Sequence, residues 1–210
     1  MQRSLGRYLR PALIALAIAG LPALAFAESA AATAPAPPVN ALPTVPMATT
    51  SVSPRIHYVV GQSGAASLAN QGFMSNAGFV ITGDGVVVFD ALGSPALARE
   101  LIRRIREKTD APIKRVVVSH FHPDHIYGLQ VFKAIGAEIW AHRSAADYLN
   151  SRAASERLAE RQQTLSPWLD DTRLVTPDHY VDAEARFKLG GVDFRLIHVG
   201  PAHTSEDLIM

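Results

Sequence analysis

The feature that most constrains this chain is a run of histidines and one aspartate directly after a short apolar stretch. Residues 119–125 are S-H-F-H-P-D-H, so three histidines and one aspartate lie within six residues. In an extended backbone, side chains two positions apart point the same way, so His120 and His122 can aim their rings at one point. The proline then turns the chain into a helix, which lets Asp124 and His125 face a neighbouring point. Imidazole nitrogen and carboxylate oxygen suit a divalent ion such as Zn²⁺.

The composition of the 210 residues excludes several classes of protein. Hydrophobic residues make up 48% and charged residues 19%, which is enough apolar material for a packed core. The formal net charge is +1, so no basic excess points to a nucleic-acid partner. Cysteine is absent, which rules out disulfides, thiolate metal ligands and a cysteine nucleophile. Within this chain, a bound metal would therefore rely on histidine and carboxylate ligands.

The first 54 residues are expected to contain an export signal and a linker. Residues 1–27 have three arginines, an apolar stretch and a small-x-small cleavage site, a pattern typical of a secretory signal peptide. We therefore expect a periplasmic or secreted protein with no stable membrane span once the signal is removed. Residues 28–54 are rich in alanine, threonine and proline, which predicts an extended linker. The folded domain is expected over residues 55–210.

The order of the predicted elements indicates a layered α/β fold. β-rich segments flank a Gly-Asp-Gly turn and, later, a Gly-Gly turn, and each arrangement predicts a hairpin. Helical patterns separate the hairpins from the strands between them, which is typical of a sheet covered by helices. Strands are predicted over 56–60, 79–82, 86–89, 116–118, 138–140, 187–189 and 192–199, and helices over 95–105, 125–134 and 144–165.

The remaining histidines differ in how well their positions suit a metal. His203 lies in a turn after a predicted strand, where a third ligand could converge on the first two. By itself this position fits a ligand and a surface loop equally well. The positions of His142 and His198 favour a structural role or a role in supporting the ligands, and the sequence gives no role to His57 or His179.

Together these motifs resemble the metallo-β-lactamase superfamily of metallohydrolases. The resemblance rests on H-x-H-x-D-H at residues 120–125 and on a later G-x-x-H-T at residues 200–204. It spans about residues 56–210. The resemblance implies a four-layer αβ/βα sandwich with a dinuclear metal site at the edge of the β layers. This chain would cover the first half of that sandwich and the start of the second.

The resemblance also implies roles for individual side chains. His120, His122 and His203 would hold a first ion, and Asp124 and His125 would begin the site of a second. One or two Zn²⁺ ions are expected, with iron as a possible substitute. Asp124 would in addition orient the attacking nucleophile and shuttle its proton.

The resemblance also includes Asp90, and the chain departs from the family pattern at two places. Asp90, which closes a predicted strand, matches a family acid that braces the metal loop through hydrogen bonds. The family commonly has Gly-Gly two residues after the cluster, whereas this chain has Tyr127 and Gly128, which alters one wall of the site. The chain ends at Met210 within an apolar run. We therefore expect a C-terminally incomplete sequence, with the remaining ligands of the second ion downstream.

The resulting prediction is an exported zinc-dependent hydrolase. A metal-bound hydroxide would attack a small acyl-type substrate, such as a β-lactam, a lactone or a thioester. One alternative is a mononuclear iron oxygenase that oxidises a persulfide on the same scaffold. Another is a catalytically incomplete fragment that binds metal without turnover. The substrate and the oligomeric state stay open at this level.

Overall fold

The protein is described here from a computed structural model, which covers residues 42–210. The predicted signal peptide and residues 28–41 of the predicted linker lie outside this range. Within it the chain forms ten strands and five helices. The strands are β1 (Thr49–Ser51), β2 (Ile56–Val59), β3 (Ala77–Ile81), β4 (Val86–Phe89), β5 (Ile113–Val117), β6 (Glu138–His142), β7 (His179–Val181), β8 (Glu184–Leu189), β9 (Val192–His198) and β10 (Leu208–Ile209). The helices are α1 (Pro95–Arg106), α2 (Pro123–Ile126), α3 (Leu129–Ala134), α4 (Ala145–Leu149) and α5 (Arg152–Thr164).

The strands form two sheets. The larger has seven strands in the order β1 to β7, with antiparallel pairing from β1 to β4 and parallel pairing from β4 to β7. The smaller sheet is antiparallel, in the order β10-β9-β8. Both predicted hairpins, β3–β4 and β8–β9, are present. The α/β fold class predicted from the sequence is confirmed.

The two faces of the larger sheet pack against different partners. Val86 and Val88 of β4 belong to the core beneath the helices, whereas Val87 belongs to a second core shared with the smaller sheet. In β5, Val116 and Val117 divide in the same way. Strands buried on both faces need continuous apolar runs, which explains the valine triplets in the sequence. The described residues thus stack as helices, a large sheet and a small sheet.

Helix α1 anchors the helical layer. Ser94 caps its first turn by accepting a hydrogen bond from the Leu97 N–H at 3.1 Å, and Pro95 occupies the first helical position. Leu97, Leu101 and Ile105 are fully buried, as their spacing along the helix predicts. Each contributes about 1.5–3 kcal/mol through burial. Among residues 42–210, no helix is both long and apolar enough to cross a membrane.

The linker prediction is wrong for residues 42–54. Val45 and Met47 are buried in the helix-side core, and Thr49–Ser51 pairs with β2 as an edge strand. The prolines of this segment lie outside the paired residues, so none of them removes a hydrogen bond from the ladder. The ordered domain therefore begins earlier than the expected residue 55.

Two predicted helices are each divided in the structure. The helix expected over 125–134 is interrupted at Gly128, where a Cβ would overlap the Ala91 carbonyl oxygen. The helix expected over 144–165 becomes α4 and α5, and Ser151 caps α5 by accepting the Ala154 N–H at 3.2 Å.

Candidate metal centre

The carboxyl ends of the parallel strands meet at one edge of the larger sheet. Asp90 directly follows β4, Ser119 and His120 follow β5, and His142 closes β6. Parallel strands that end together bring the first residues of their loops close to one another. Short loops after these strands are therefore enough to bring polar side chains together at this edge.

Three histidines converge there. The Nε2 atom of His120 lies 3.1 Å from Nδ1 of His122, and Nε2 of His203 lies 2.9 Å from the same Nδ1. Among residues 42–210, these three form the one group of potential ligands that could share an ion, with all ligand atoms within 4.8 Å of each other. Nitrogens bound to one tetrahedral Zn²⁺ at about 2.0–2.1 Å lie about 3.3 Å apart, so the spacing fits such an ion.

The extended loop after β5 and a turn after β9 supply these rings. His122 has φ −63° and ψ 146°, so the segment that carries the two sequence neighbours is extended, as the pattern predicts. The turn that carries His203 is closed by Asp207, which accepts the Thr204 N–H at 2.7 Å. Leu208 then donates its N–H to the Ser119 carbonyl at 2.8 Å, which ties the turn to the end of β5.

Burial keeps two of these imidazoles neutral. Burial lowers the pKa of His120 to about 4, with a further lowering from the positive charge of His125 and an opposing effect of Asp90. Burial and the neighbouring His203 lower the pKa of His122 as well. A metal binds the neutral ring, so no proton has to leave these two side chains near neutral pH.

Asp124 and His125 form a different arrangement. Nε2 of His125 lies 3.3 Å from Oδ2 of Asp124, and its Nδ1 lies 2.8 Å from Oδ2 of Asp90. Burial alone would lower the pKa of His125, but hydrogen bonds to both carboxylates outweigh it and raise the pKa to about 10. Burial raises the pKa of Asp124, but the hydrogen bond and charge of His125 outweigh it, so the net shift is downward. The pair predicted to begin a second ion site thus lies outside the group of three histidines.

Asp90 links the group of three histidines to the pair of Asp124 and His125, through its contacts with Ser119 and His125. It is buried, and its Oδ1 accepts the Ser119 N–H at 2.7 Å while Oδ2 accepts the Ser119 hydroxyl at 2.8 Å. Its backbone has φ +67°, a left-handed conformation that few non-glycine residues adopt. Such strain persists only where the surroundings fix it. The position next to the histidine loop is the one that the sequence comparison assigns to a bracing acid.

Several residues at the site were missed by the sequence reasoning. The Ser119 hydroxyl lies 2.9 Å from Nδ1 of His120 and 3.3 Å from Nδ1 of His125, so it contacts both arrangements. Ser75 donates its hydroxyl to the Asp124 carbonyl oxygen. Ser119 could have been found because it directly precedes the motif at a strand end. Ser75 carries no comparable signal in the sequence.

A second histidine pair lies apart from the candidate ligands. The rings of His142 and His198 stack at 3.9 Å with an interplanar angle of 19°. His142 places Nδ1 2.7 Å from the Ser144 hydroxyl, and His198 donates Nε2–H to the Ser205 carbonyl oxygen at 2.9 Å. These contacts match the structural roles that the sequence favours for both residues.

A cavity of about 50 Å³ opens beside Asp124. Met74 lines it, whereas its neighbour Phe73 is buried in the helix-side core. Tyr127, which replaces the first glycine of the family pattern, also lines the cavity. Tyr127 therefore forms part of the wall of a cavity beside Asp124.

Comparisons with known proteins agree with this geometry. Residues 70–209 match the metallo-beta-lactamase superfamily. A metallo-beta-lactamase type 2 from Bacillus cereus is 24% identical over 155 residues, which cover 74% of this chain and 51% of that protein. A linear primary-alkylsulfatase from a Pseudomonas species is 39% identical over 49 residues, 23% of this chain and 9% of that protein. The chain spans about half the length of the curated metallo-beta-lactamase from Bacillus cereus.

Solved structures show the same fold. A metallo-beta-lactamase from Pontibacter korlensis superposes with a TM-score of 0.57 at 18% identity, over 78% of this chain and 65% of that one. A sec-alkylsulfatase from a Pseudomonas species superposes with a TM-score of 0.57 at 19% identity, over 77% of this chain and 29% of that one. At these identities the likeness concerns the fold alone.

Proposed function

The chain belongs to the metallo-beta-lactamase superfamily, and from that membership we propose that it is a zinc-dependent hydrolase of small molecules. The observation that carries the proposal is the meeting of His120, His122 and His203, which come from segments 81 residues apart. Catalytic zinc ions usually have three protein ligands and an open fourth position, and three histidines are one such set. We propose that these three residues hold it.

The chemistry divides between the ion and the side chains beside it. When bound, a divalent ion would supply hydroxide near neutral pH and polarise a substrate carbonyl oxygen. Asp124 has a lowered pKa, so its carboxylate is ionised at neutral pH and can accept a proton from an attacking water. His125 orients that carboxylate through the contact between Nε2 and Oδ2, and Asp90 orients His125 from the other side.

For the substrate we propose an activated acyl compound, namely a β-lactam, a lactone or a thioester. The support is the match to metallo-beta-lactamases over most of the chain. Sulfate esters are a second candidate, because a linear primary-alkylsulfatase matches in sequence and a sec-alkylsulfatase matches in fold. The iron-dependent persulfide oxygenase is not favoured, since the matched proteins described above are named as β-lactamases and alkylsulfatases.

We propose in addition that the protein is exported. The support is the sequence of residues 1–27, with its arginines, apolar stretch and small-x-small site. Expression of the full chain in a bacterium, followed by fractionation and N-terminal sequencing, tests this. A periplasmic product that begins near Glu28 is expected, and a cytoplasmic product that retains Met1 would contradict export.

Metal analysis and hydrolysis assays test the enzymatic proposal. The intact protein, with any residues that follow Met210, is loaded with Zn²⁺ and tested against a chromogenic cephalosporin, a lactone, a thioester and an alkyl sulfate, with and without a chelator. Chelator-sensitive hydrolysis of one class is expected, and it should be lost in His203→Ala. The matched control is His179→Ala, which removes a histidine that stacks on Trp140 away from the cluster. Absence of bound zinc in the unmodified chain would contradict the proposal.

A further inference from the structure

Glu206 carries a buried carboxyl group that the proposed chemistry does not use. The residue is 1% exposed, and neither of its side-chain oxygens has a hydrogen-bond partner among residues 42–210. Burying a charged carboxylate without a partner costs several kcal/mol, so native proteins rarely keep one. A buried polar group of this kind calls for a specific explanation.

Two polar groups face this carboxyl. Burial raises the pKa of Glu206 to about 7 and Asp207 adds to the rise, whereas the Phe121 N–H and the Ser144 hydroxyl oppose it. Neither the N–H nor the hydroxyl reaches the carboxyl with ordinary hydrogen-bond length and angle. A small movement of the surrounding loops would therefore close one or both hydrogen bonds.

The carboxyl lies where three loops of the site meet. Phe121 stands between His120 and His122, and its ring stacks on Tyr148 of α4 at 4.2 Å. Ser144 follows β6 and lies 2.7 Å from Nδ1 of His142. Glu206 itself is three residues beyond His203. One side chain thus faces the loop of the first two candidate ligands, belongs to the loop of the third, and faces the turn that leads into α4.

We propose that Glu206 is a positioning residue. Its carboxyl is unpartnered within residues 42–210 of the metal-free protein and, when the loops close around an ion, binds the Phe121 N–H and the Ser144 hydroxyl and so sets how His203 approaches the other two histidines. The inference rests on the proposed function, because it concerns the same three rings. Groups that hydrogen-bond a metal ligand directly typically change metal affinity by about 10–100-fold when they are removed. Glu206 acts through the loops that carry the ligands, so a loss near the lower end of that range is expected.

Glu206→Leu separates this role from a merely structural one. Leucine is apolar and similar in size, so replacing an unpartnered buried carboxyl should leave the metal-free protein at least as stable to heat. Its affinity for Zn²⁺, measured by competition with a chromophoric chelator, should fall at least about tenfold. Glu206→Gln keeps groups that can bind the N–H and the hydroxyl, and its affinity should stay within about threefold of the unmodified chain.

Glu100→Leu is the matched control. Glu100 is also a buried glutamate, but it lies on α1 and pairs with Arg103 and Arg104 on that helix. Its loss should lower stability and leave the affinity for Zn²⁺ unchanged. An equal loss of affinity in Glu100→Leu and Glu206→Leu would overturn the positioning role.

Further outcomes are equally decisive. Zinc affinity of Glu206→Leu within threefold of the unmodified chain would overturn the inference and leave the proposed function intact. If Glu206→Leu does not fold, Glu206→Asp takes its place, because it keeps a carboxyl but withdraws it by one methylene. Weaker zinc binding with a shifted visible spectrum of bound Co²⁺ is then expected, and parent-like values would overturn the inference. No zinc binding by the unmodified chain would overturn both proposals.

Discussion

His120 and His125 have ring centroids only 4.1 Å apart, yet their surroundings shift their pKa values in opposite directions. Burial beside other imidazoles lowers the pKa of His120 to about 4, whereas contacts with Asp90 and Asp124 raise the pKa of His125 to about 10. The first ring is therefore neutral and can bind a metal, and the second is a cation held between carboxylates. The comparison teaches that residue type and spacing do not determine the role of a histidine in this motif.

The largest expected effect comes from removing the nitrogen that lies between the other two candidate ligands. Nδ1 of His122 lies within 3.1 Å of both His120 and His203, so His122→Ala takes away the central ligand atom. Zinc affinity should fall by more than the roughly 10–100-fold typical of a lost supporting group. Competition with a chromophoric chelator measures it, with His179→Ala as the control. Affinity within tenfold of the unmodified chain would contradict the assigned ligand set.

Asp90→Ala removes one of the two carboxylates that contact His125, and it is expected to have the next largest effect. It removes the acceptor for the Ser119 N–H, the Ser119 hydroxyl and the His125 ring, and leaves a half-buried imidazolium with one partner fewer. The free energy of unfolding should fall by about 3–5 kcal/mol, measured by chemical denaturation. The pKa of His125 should fall as well, measured by NMR titration of the metal-free protein. A His125 pKa that does not change would show that Asp124 alone accounts for its rise.

The pH dependence of stability tests the same difference between His120 and His125. In the metal-free protein, the folded pKa of His125 lies near 10, above the unfolded value of 6.5. Its contribution to stability is therefore fully present below pH 6.5 and is lost as the pH rises towards 10. Denaturation measured between these pH values should show falling stability, and His125→Gln should flatten this slope. The same slope in both proteins would assign the effect to another group.

Ser119→Ala is expected to have the smallest effect, because it removes hydroxyl contacts to His120 and His125 but keeps the carboxylates and the three candidate ligands in the chain. The variant loses the hydroxyl contacts to Asp90, His120 and His125 but keeps the backbone hydrogen bond to Asp90. A loss of about 1 kcal/mol in the free energy of unfolding is expected by chemical denaturation. A loss as large as that of Asp90→Ala would mean that the hydroxyl, rather than the carboxylate, fixes the loop.

Sequence patterns predicted the local features of this molecule well. The spacing of His120 and His122 in an extended segment places both rings in one group, because alternation along a strand is a local property. The apolar face of α1 and both hairpins follow from periodicity and turn residues for the same reason. The residues alone leave the role of His203 open, because its approach to His122 depends on a contact across 81 residues. The family resemblance assigns it as a metal ligand.

Features that depend on distant packing were not predictable in the same way. The burial of Val45 and Met47 depends on a core whose other residues lie far along the chain, so a proline-rich segment reads as a linker. The pairing of His125 with Asp90 spans 35 residues and adds to the rise that Asp124 causes in the pKa of that ring. Glu206 carries no sequence signal, because a pair of acidic residues before a short apolar run is common on protein surfaces.

X-ray absorption at the zinc edge tests the central claim most directly, namely that His120, His122 and His203 hold one divalent ion. The sample is the full chain loaded with one equivalent of Zn²⁺, compared with His203→Ala. The account predicts three imidazole nitrogens at about 2.0–2.1 Å from zinc, and two in the variant. A coordination shell that lacks imidazole, or one that is identical in the two proteins, would contradict it.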